Sequence, residues 1–311
     1  MNGKTAVTSA AQRVVRVTES MGTAVSVHAI VSNADEDLAA RIDTHTQAAF
    51  AQLREVERVF SPFIAESDIS RMRDGKLRRE DTDARVAQVY SACTEAERAT
   101  NGRFSAGWQG GWFDPTGYVK GWAVEEAFDA HLRGLLEFDG VLAVGVNAGG
   151  DMQLATAPEA AWEWRIGVTH PVRPGEVVAT IELRDGAIAT SGNAERGAHI
   201  IDPRTGLAAG GALSATVVAK RLRDADVWAT AAIVAGGDLG WVAEAAHTNG
   251  MLVTAHGVVR RWAGGVELVQ AAQSTRGASN RNSVPSGELC TIRTVPPARS
   301  ASSRASARPS P

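Results

Sequence analysis

Four polar segments of the chain carry residue types that can do chemistry at spacings that let them act together. In Asp224-Ala225-Asp226-Val227-Trp228-Ala229-Thr230, Asp226 and Thr230 stand four apart, which on a helix places a carboxylate and a hydroxyl one turn apart on one face. Hard oxygen donors of this kind suit magnesium, which takes few protein ligands and shares its remaining positions with water and phosphate. Asp224 and Asp226 equally suit the positive end of a helix dipole, a structural role that a helix start makes accessible. A second segment, Asp114-Pro115-Thr116-Gly117-Tyr118-Val119-Lys120, is a polar turn feeding a helix. Amides at a helix N-terminus and a lysine at that junction would hold phosphate, and the same four-residue turn also serves as an ordinary cap.

The third segment is Asn147-Ala148-Gly149-Gly150-Asp151. Its glycines allow close backbone approach to a ligand, and Asp151 could accept hydrogen bonds from a sugar, base or ring nitrogen. It lacks the three spaced glycines of a dinucleotide fingerprint, so a plain tight turn is the competing reading. The fourth runs from Thr190 to Gly206 and is dense in acidic, basic and imidazole groups. Of the seven histidines, His199 has the best-furnished surroundings for proton transfer near neutral pH, while its apolar neighbours Ile200 and Ile201 also suit a structural imidazole.

The elements that must position these segments read as a mixture of helices and strands without strict βαβ alternation, which makes the fold class α+β. Alternation over 22–30 predicts a strand, and helical spacing predicts helices over 40–60, 83–100 and 120–138. The apolar run 141–146 predicts a strand entering the Gly149-Gly150 turn. Further strands are predicted at 164–168, 177–183, 187–189 and 214–219, with a turn at Asp185-Gly186 between the middle two. A helix is expected from an N-cap acid at Asp224 to Gly236-Gly237, followed by strands at 250–255 and 258–262.

Composition bounds the remaining possibilities. The 311 residues, 44% hydrophobic and 22% charged, are ordinary for a globular protein. From Ala271 onward there are six Arg against one Glu, so the body is more negative than the net charge of -3 suggests, and a nucleic-acid partner is not expected. Cys93 and Cys290 are too few for a disulfide framework, and Cys93 falls on an apolar helical stripe as an inert thiol. There is no apolar run of membrane-spanning length and no apolar signal segment near Met1, so a cytoplasmic location is expected. Residues 1–13 read as a flexible N-terminus, 14–271 as one domain, and 272–311 as a disordered basic tail of Ser, Ala, Arg and Pro.

Taken in order, Met21-Gly22-Thr23, Phe60-Ser61-Pro62-Phe63, the DPTGYVKGWAVEEA and NAGGD stretches, TSGNAERGAHIIDPRTG and DADVWATA resemble the FAD:protein FMN transferase (ApbE) family. The resemblance implies a T-fold-related architecture with mixed or antiparallel sheets flanked by helices. It also implies a magnesium-dependent enzyme that splits FAD and transfers FMN to a Thr or Ser hydroxyl of an acceptor flavoprotein, releasing AMP. By the same resemblance, the magnesium ligands are Asp226, Thr230 and the backbone carbonyl of Gly117. Nucleotide contacts fall to Met21, Phe63, Arg103, Phe104, Ser105, Asp114, Lys120 and Ile200, and His199 is the general base. Two departures stand out. Phe63 replaces a frequent Tyr, keeping an aromatic face without the hydroxyl, and Ser105 follows Phe104 where many relatives carry Asp. FAD hydrolysis to FMN and AMP, and FAD binding without chemistry, are the alternatives.

Overall fold

The computed structural model describes residues 11–108, 110–192, 200–268, 283–286 and 290–294. Two antiparallel strands, β1 (Gln12–Ser20) and β2 (Thr23–Val31), lead into helices α1 (Glu36–Phe60), α2 (Asp68–Arg73), α3 (Ala84–Ala99) and α4 (Thr116–Ala127). The chain then forms β3 (Val141–Ala148), β4 (Asp151–Thr156), β5 (Trp164–Thr169), β6 (Val177–Leu183) and β7 (Gly186–Gly192). After the short pair β8 (Ile201–Asp202) and β9 (Leu207–Ala208) come β10 (Ala212–Ala219), α5 (Leu222–Ala235), β11 (Asn249–Thr254), β12 (Val259–Ala263) and β13 (Val266–Glu267). Two strands close the described chain, β14 (Ser283–Ser286) and β15 (Cys290–Thr294).

One sheet of nine strands runs β1-β2-β3-β4-β7-β10-β11-β12-β13, and a second of four runs β14-β15-β6-β5. The large sheet separates two cores. Val25, Val27, Ala29, Val144, Val146, Ala215 and Val217 face the helices, where they meet Phe50, Leu53, Phe60, Trp122 and Trp228. Ile30, Leu154, Ile188, Val218 and Met251 face the small sheet and its Trp164, Val168, Ile181 and Ile292. A sheet covered on both faces needs apolar residues at successive positions, which accounts for the unbroken run of β3. The helices α1 to α4 interrupt the chain between β2 and β3, yet these strands are neighbours and place Val27 opposite Val146. In the same way α5 lies between β10 and β11, themselves an antiparallel pair.

Several boundaries differ from expectation for local reasons. α1 starts at Glu36, because Asp35 caps it by accepting from Leu38 N–H at 2.8 Å and its first turn is acidic, which a search for apolar periodicity passes over. The helix expected over 120–138 begins at Thr116, ends its α part at Ala127, and continues as a π-turn and a 3₁₀ turn to Glu137. α5 begins at Leu222, with Arg221 at its N-cap and no side-chain cap bond, so Asp224 stands inside the first turn and is not the cap. Asp185-Gly186 does not join a hairpin: β6 and β7 belong to different sheets, and the turn carries the chain from one to the other. β1 begins at Gln12, and β4 fills a stretch left unassigned. Nine residues of the tail read as disordered form β14 and β15, since β15 finds β6 beside it and buries Cys290 and Ile292 against the second core. The rest of 272–311, and residues 1–10, lie outside the described residues.

Candidate active site

Helix α4 fixes the site because it is buried nearly all round. Tyr118, Val119, Trp122, Ala123, Val124 and Ala127 are all in the main core. Its approach to α5 depends on Gly121: a methyl there would lie 3.0 Å from the Cβ and Oδ2 of Asp226 and 3.0 Å from the Leu222 carbonyl oxygen. Bare backbone at this point lets Gly121 N–H donate to Asp226 Oδ2 at 3.2 Å. In a regular helix that N–H serves the carbonyl four residues earlier, which here is Gly117. A second brace lies at Glu125, 2% exposed, which accepts from Arg223 N–H at 3.1 Å and pairs with the Arg223 guanidinium at 2.7 Å. Burial works against the charge on Arg223, but its hydrogen bonds to Glu125 and Glu126 outweigh that and raise its pKa.

A cleft of about 690 Å³ opens beside these two helices. At its polar end Lys120, Asp226, Thr230 and Ser191 converge, together with the Gly149-Gly150 turn. Asp226 is only 5% exposed, not the accessible position a helix start suggests, and the Lys120 ammonium stands 3.6 Å from its Oδ2. The Thr230 and Ser191 hydroxyls are 3.3 Å apart. The apolar part of the cleft lining comes from Met152, Ile166, Val168 and Ile188, together with Phe104 and Ile200.

The resemblance-derived residues are largely brought together. Arg103, Phe104, Ser105, Asp114, Gly117, Lys120, Ile200, Asp226 and Thr230 all line this cleft. Arg103 is anchored by Glu244 at 3.2 Å and by the Thr100 carbonyl at 3.1 Å. Phe104 packs over Gly117, where a methyl would come within 3.1 Å of the ring. Asp114 accepts from Thr116 N–H at 3.1 Å, just ahead of the α4 N-cap at Pro115, and also lines the cleft. Met21 and Phe63 do not line the cleft among the described residues. Met21 sits in the β1–β2 turn at φ 53° and packs on the main core, and Phe63 is 91% exposed. The Met21 turn still borders the site, because Gly149 N–H donates to the Ala24 carbonyl. His199 lies outside the described residues.

At Asp151 the plain-turn reading describes the structure better than the ligand-binding one. It is 1% exposed, accepts from Thr190 N–H at 3.1 Å and forms an ion pair with Lys120, so it is turned toward protein partners and not toward a ligand. Sequence reasoning also missed the β5 wall. The strand itself was legible, but not that Ile166 and Val168 face a cleft. Cys93 is buried in the main core, and burial pushes its thiol pKa well up, as an inert core cysteine requires.

The donor set at the polar end is one carboxylate, two hydroxyls and a nearby main-chain carbonyl. Among the described residues no group of three or more His, Cys, Asp and Glu could hold a metal. A set of few, hard oxygens is compatible with magnesium, which keeps several positions for water and phosphate oxygens. Asp226, Thr230 and Gly117 are the residues that would hold it.

The ApbE family model matches residues 21–110 and 109–252, most of the chain and every part of the cleft named above. The chain belongs to the ApbE family. Its fold is similar to that of an ApbE protein of Thermotoga maritima, with a TM-score of 0.68 at 23% identity over 80% of this chain and 97% of that one. The flavin transferase ApbE of Vibrio cholerae superposes with a TM-score of 0.61 at 20% identity, over 81% of this chain and 97% of that one. Among curated relatives, the FAD:protein FMN transferase of Salmonella typhimurium is 32% identical over 133 residues, 39% of this chain and 38% of that protein. That of Rhodobacter capsulatus is 38% identical over 128 residues, 38% of this chain and 23% of that protein. The sequence alignments thus span well under half of these two relatives. Against this ApbE background the α+β expectation holds, with antiparallel sheets and helices on one face of the larger.

Proposed function

We propose that this ApbE-family protein is a magnesium-dependent FAD:protein FMN transferase, which moves FMN from FAD to a Thr or Ser hydroxyl of an acceptor flavoprotein and releases AMP. The observation that carries the reading is the convergence of Lys120, Asp226 and Thr230 from two helices on a cleft that is also lined by apolar side chains. A flavin dinucleotide has the matching character, with flat rings for Met152, Ile166, Val168 and Ile188 and a charged pyrophosphate for Lys120. The names borne by the curated relatives support the same activity.

In this reading Lys120 and the amides at the start of α4 bind the pyrophosphate, and the Gly149-Gly150 backbone lets it approach closely. Asp226, Thr230 and the Gly117 carbonyl hold magnesium, which when bound supplies positive charge to the pyrophosphate oxygens. His199, in the role the resemblance gives it, takes the proton from the acceptor hydroxyl. The acceptor oxygen forms a bond to the FMN phosphorus, the bond from that phosphorus to the bridging oxygen breaks, and AMP leaves with that oxygen and its electron pair. In this reading the negative charge that develops at the phosphate end would be opposed by Lys120, the α4 amides and the bound cation together.

Incubation with FAD, magnesium and a candidate acceptor should give an acceptor heavier by one FMN, by intact-protein mass spectrometry. Release of free FMN at the same rate with and without every acceptor tried would replace transfer by hydrolysis. Intact FAD after long incubation with magnesium would leave only binding.

A further inference from the structure

Asp151 takes no part in the steps above, yet it is a carboxylate 1% exposed at the edge of the cleft. A carboxylate buried there is unfavourable unless partners hold it. Two do: Thr190 N–H donates to Oδ1 at 3.1 Å, and the Lys120 ammonium is in direct contact with Oδ2. The same ammonium is 3.6 Å from Asp226 Oδ2, so Lys120 stands between two carboxylates with Asp151 the nearer. Thr190 in turn precedes Ser191, whose hydroxyl meets Thr230, so one strand end sets both the Asp151 anchor and the hydroxyl pair.

We propose that Asp151 is a positioning residue that takes the closer contact with the Lys120 ammonium, keeps the Lys120–Asp226 ion pair loose at 3.6 Å, and thereby lets a divalent cation compete for the Asp226 carboxylate. This rests on the cation reading of the preceding subsection. An ammonium and a divalent cation compete for the same carboxylate, and at separations of a few ångströms in a poorly hydrated site their mutual exclusion is strong. Without Asp151, the carboxylate nearest to Lys120 is Asp226, and the flexible four-carbon stem of the lysine can close the gap. A cation would then have to displace that pair. With Asp151 present, the two carboxylates and one ammonium leave a net negative charge that favours the cation.

The test is direct Mn²⁺ uptake by the full chain without FAD, followed by electron paramagnetic resonance. Asp151→Asn keeps the shape and an acceptor for Thr190 N–H, and should bind Mn²⁺ roughly tenfold more weakly than the unmodified protein. Lys120→Met should bind at least as tightly as the unmodified protein, and adding it to Asp151→Asn should restore affinity to within about threefold. Equal affinity of Asp151→Asn and the unmodified protein overturns the proposal. So does a double variant as weak as Asp151→Asn, since the loss would then not act through Lys120. Should Asp151→Asn fail to fold, Lys120→Met decides alone, and a weakened affinity there overturns it. If the unmodified protein takes up no Mn²⁺, the cation reading of the site falls first and this proposal with it.

Discussion

Gly121→Ala is the sharpest probe of how the two site helices meet. In an exposed helix interior the change would stabilise by about 1 kcal/mol, since glycine is the poorer helix former. At Gly121 the added methyl would meet three atoms at 3.0 Å, two of Asp226 and the backbone oxygen of Leu222. Backbone cannot rotate away as a side-chain tip can, so α4 and α5 must separate by a few tenths of an ångström. Overpacking of a close-packed interior costs about 1–3 kcal/mol, which outweighs the propensity gain and leaves a net loss of about 0–2 kcal/mol. For a domain of this size that is a drop of roughly 0–6 °C in Tm. The same displacement lengthens the 3.2 Å bond from Gly121 N–H to Asp226 and moves the carboxylate, so the magnesium concentration for half-maximal turnover should rise about tenfold. Calorimetry and a magnesium titration of FMN transfer measure the two effects. Gly134→Ala is the control, because a methyl there meets nothing within 4 Å. A Gly121→Ala protein with raised Tm and an unchanged magnesium requirement would refute the reasoning.

Asp226→Asn preserves shape and the Gly121 contact but removes the charge, and should cut metal-dependent transfer by about 100-fold or more while circular dichroism stays unchanged. His199→Ala should lose about 10²–10⁴-fold in transfer rate while FAD affinity, read by flavin fluorescence, stays within about threefold. His28 accepts or donates a 2.9 Å bond with Ser26, and burial together with Arg13 lowers its pKa from 6.5 to about 4. The fold therefore favours the neutral ring. Its contribution is complete above pH 6.5, falls away as pH drops from 6.5 toward 4, and because the ring is half-buried amounts to no more than about 1–2 kcal/mol. His28→Gln should flatten that part of the curve of stability against pH in urea denaturation, and an unchanged slope would exclude His28 as its source.

Much of the framework is local and so legible in the chain. The helical spacing of α1 and α3, the alternation of β2 and the run of β6 each depend on neighbours within a few residues, and the Asp226–Thr230 pair follows from helical geometry alone. What escaped has a non-local cause. β1 is an edge strand with Val15 and Val17 exposed, so its pattern lacks a buried face, and β15 exists only because β6 lies beside it. The Asp185-Gly186 turn carries no mark of which sheet follows it.

The sequence by itself determined which side chains were available, namely the carboxylate, hydroxyl, lysine and glycine turns, and their order along the chain. Only the tertiary structure decided what each faces. Asp151 is bound to Lys120 and not open to a ligand, Ile166 and Val168 extend the second core to the cleft wall, and Gly121 is the point where two helices touch. Local periodicity sets the direction a side chain takes from its own backbone, whereas its partner comes from another strand or helix tens of residues away, brought there by burial of the two cores.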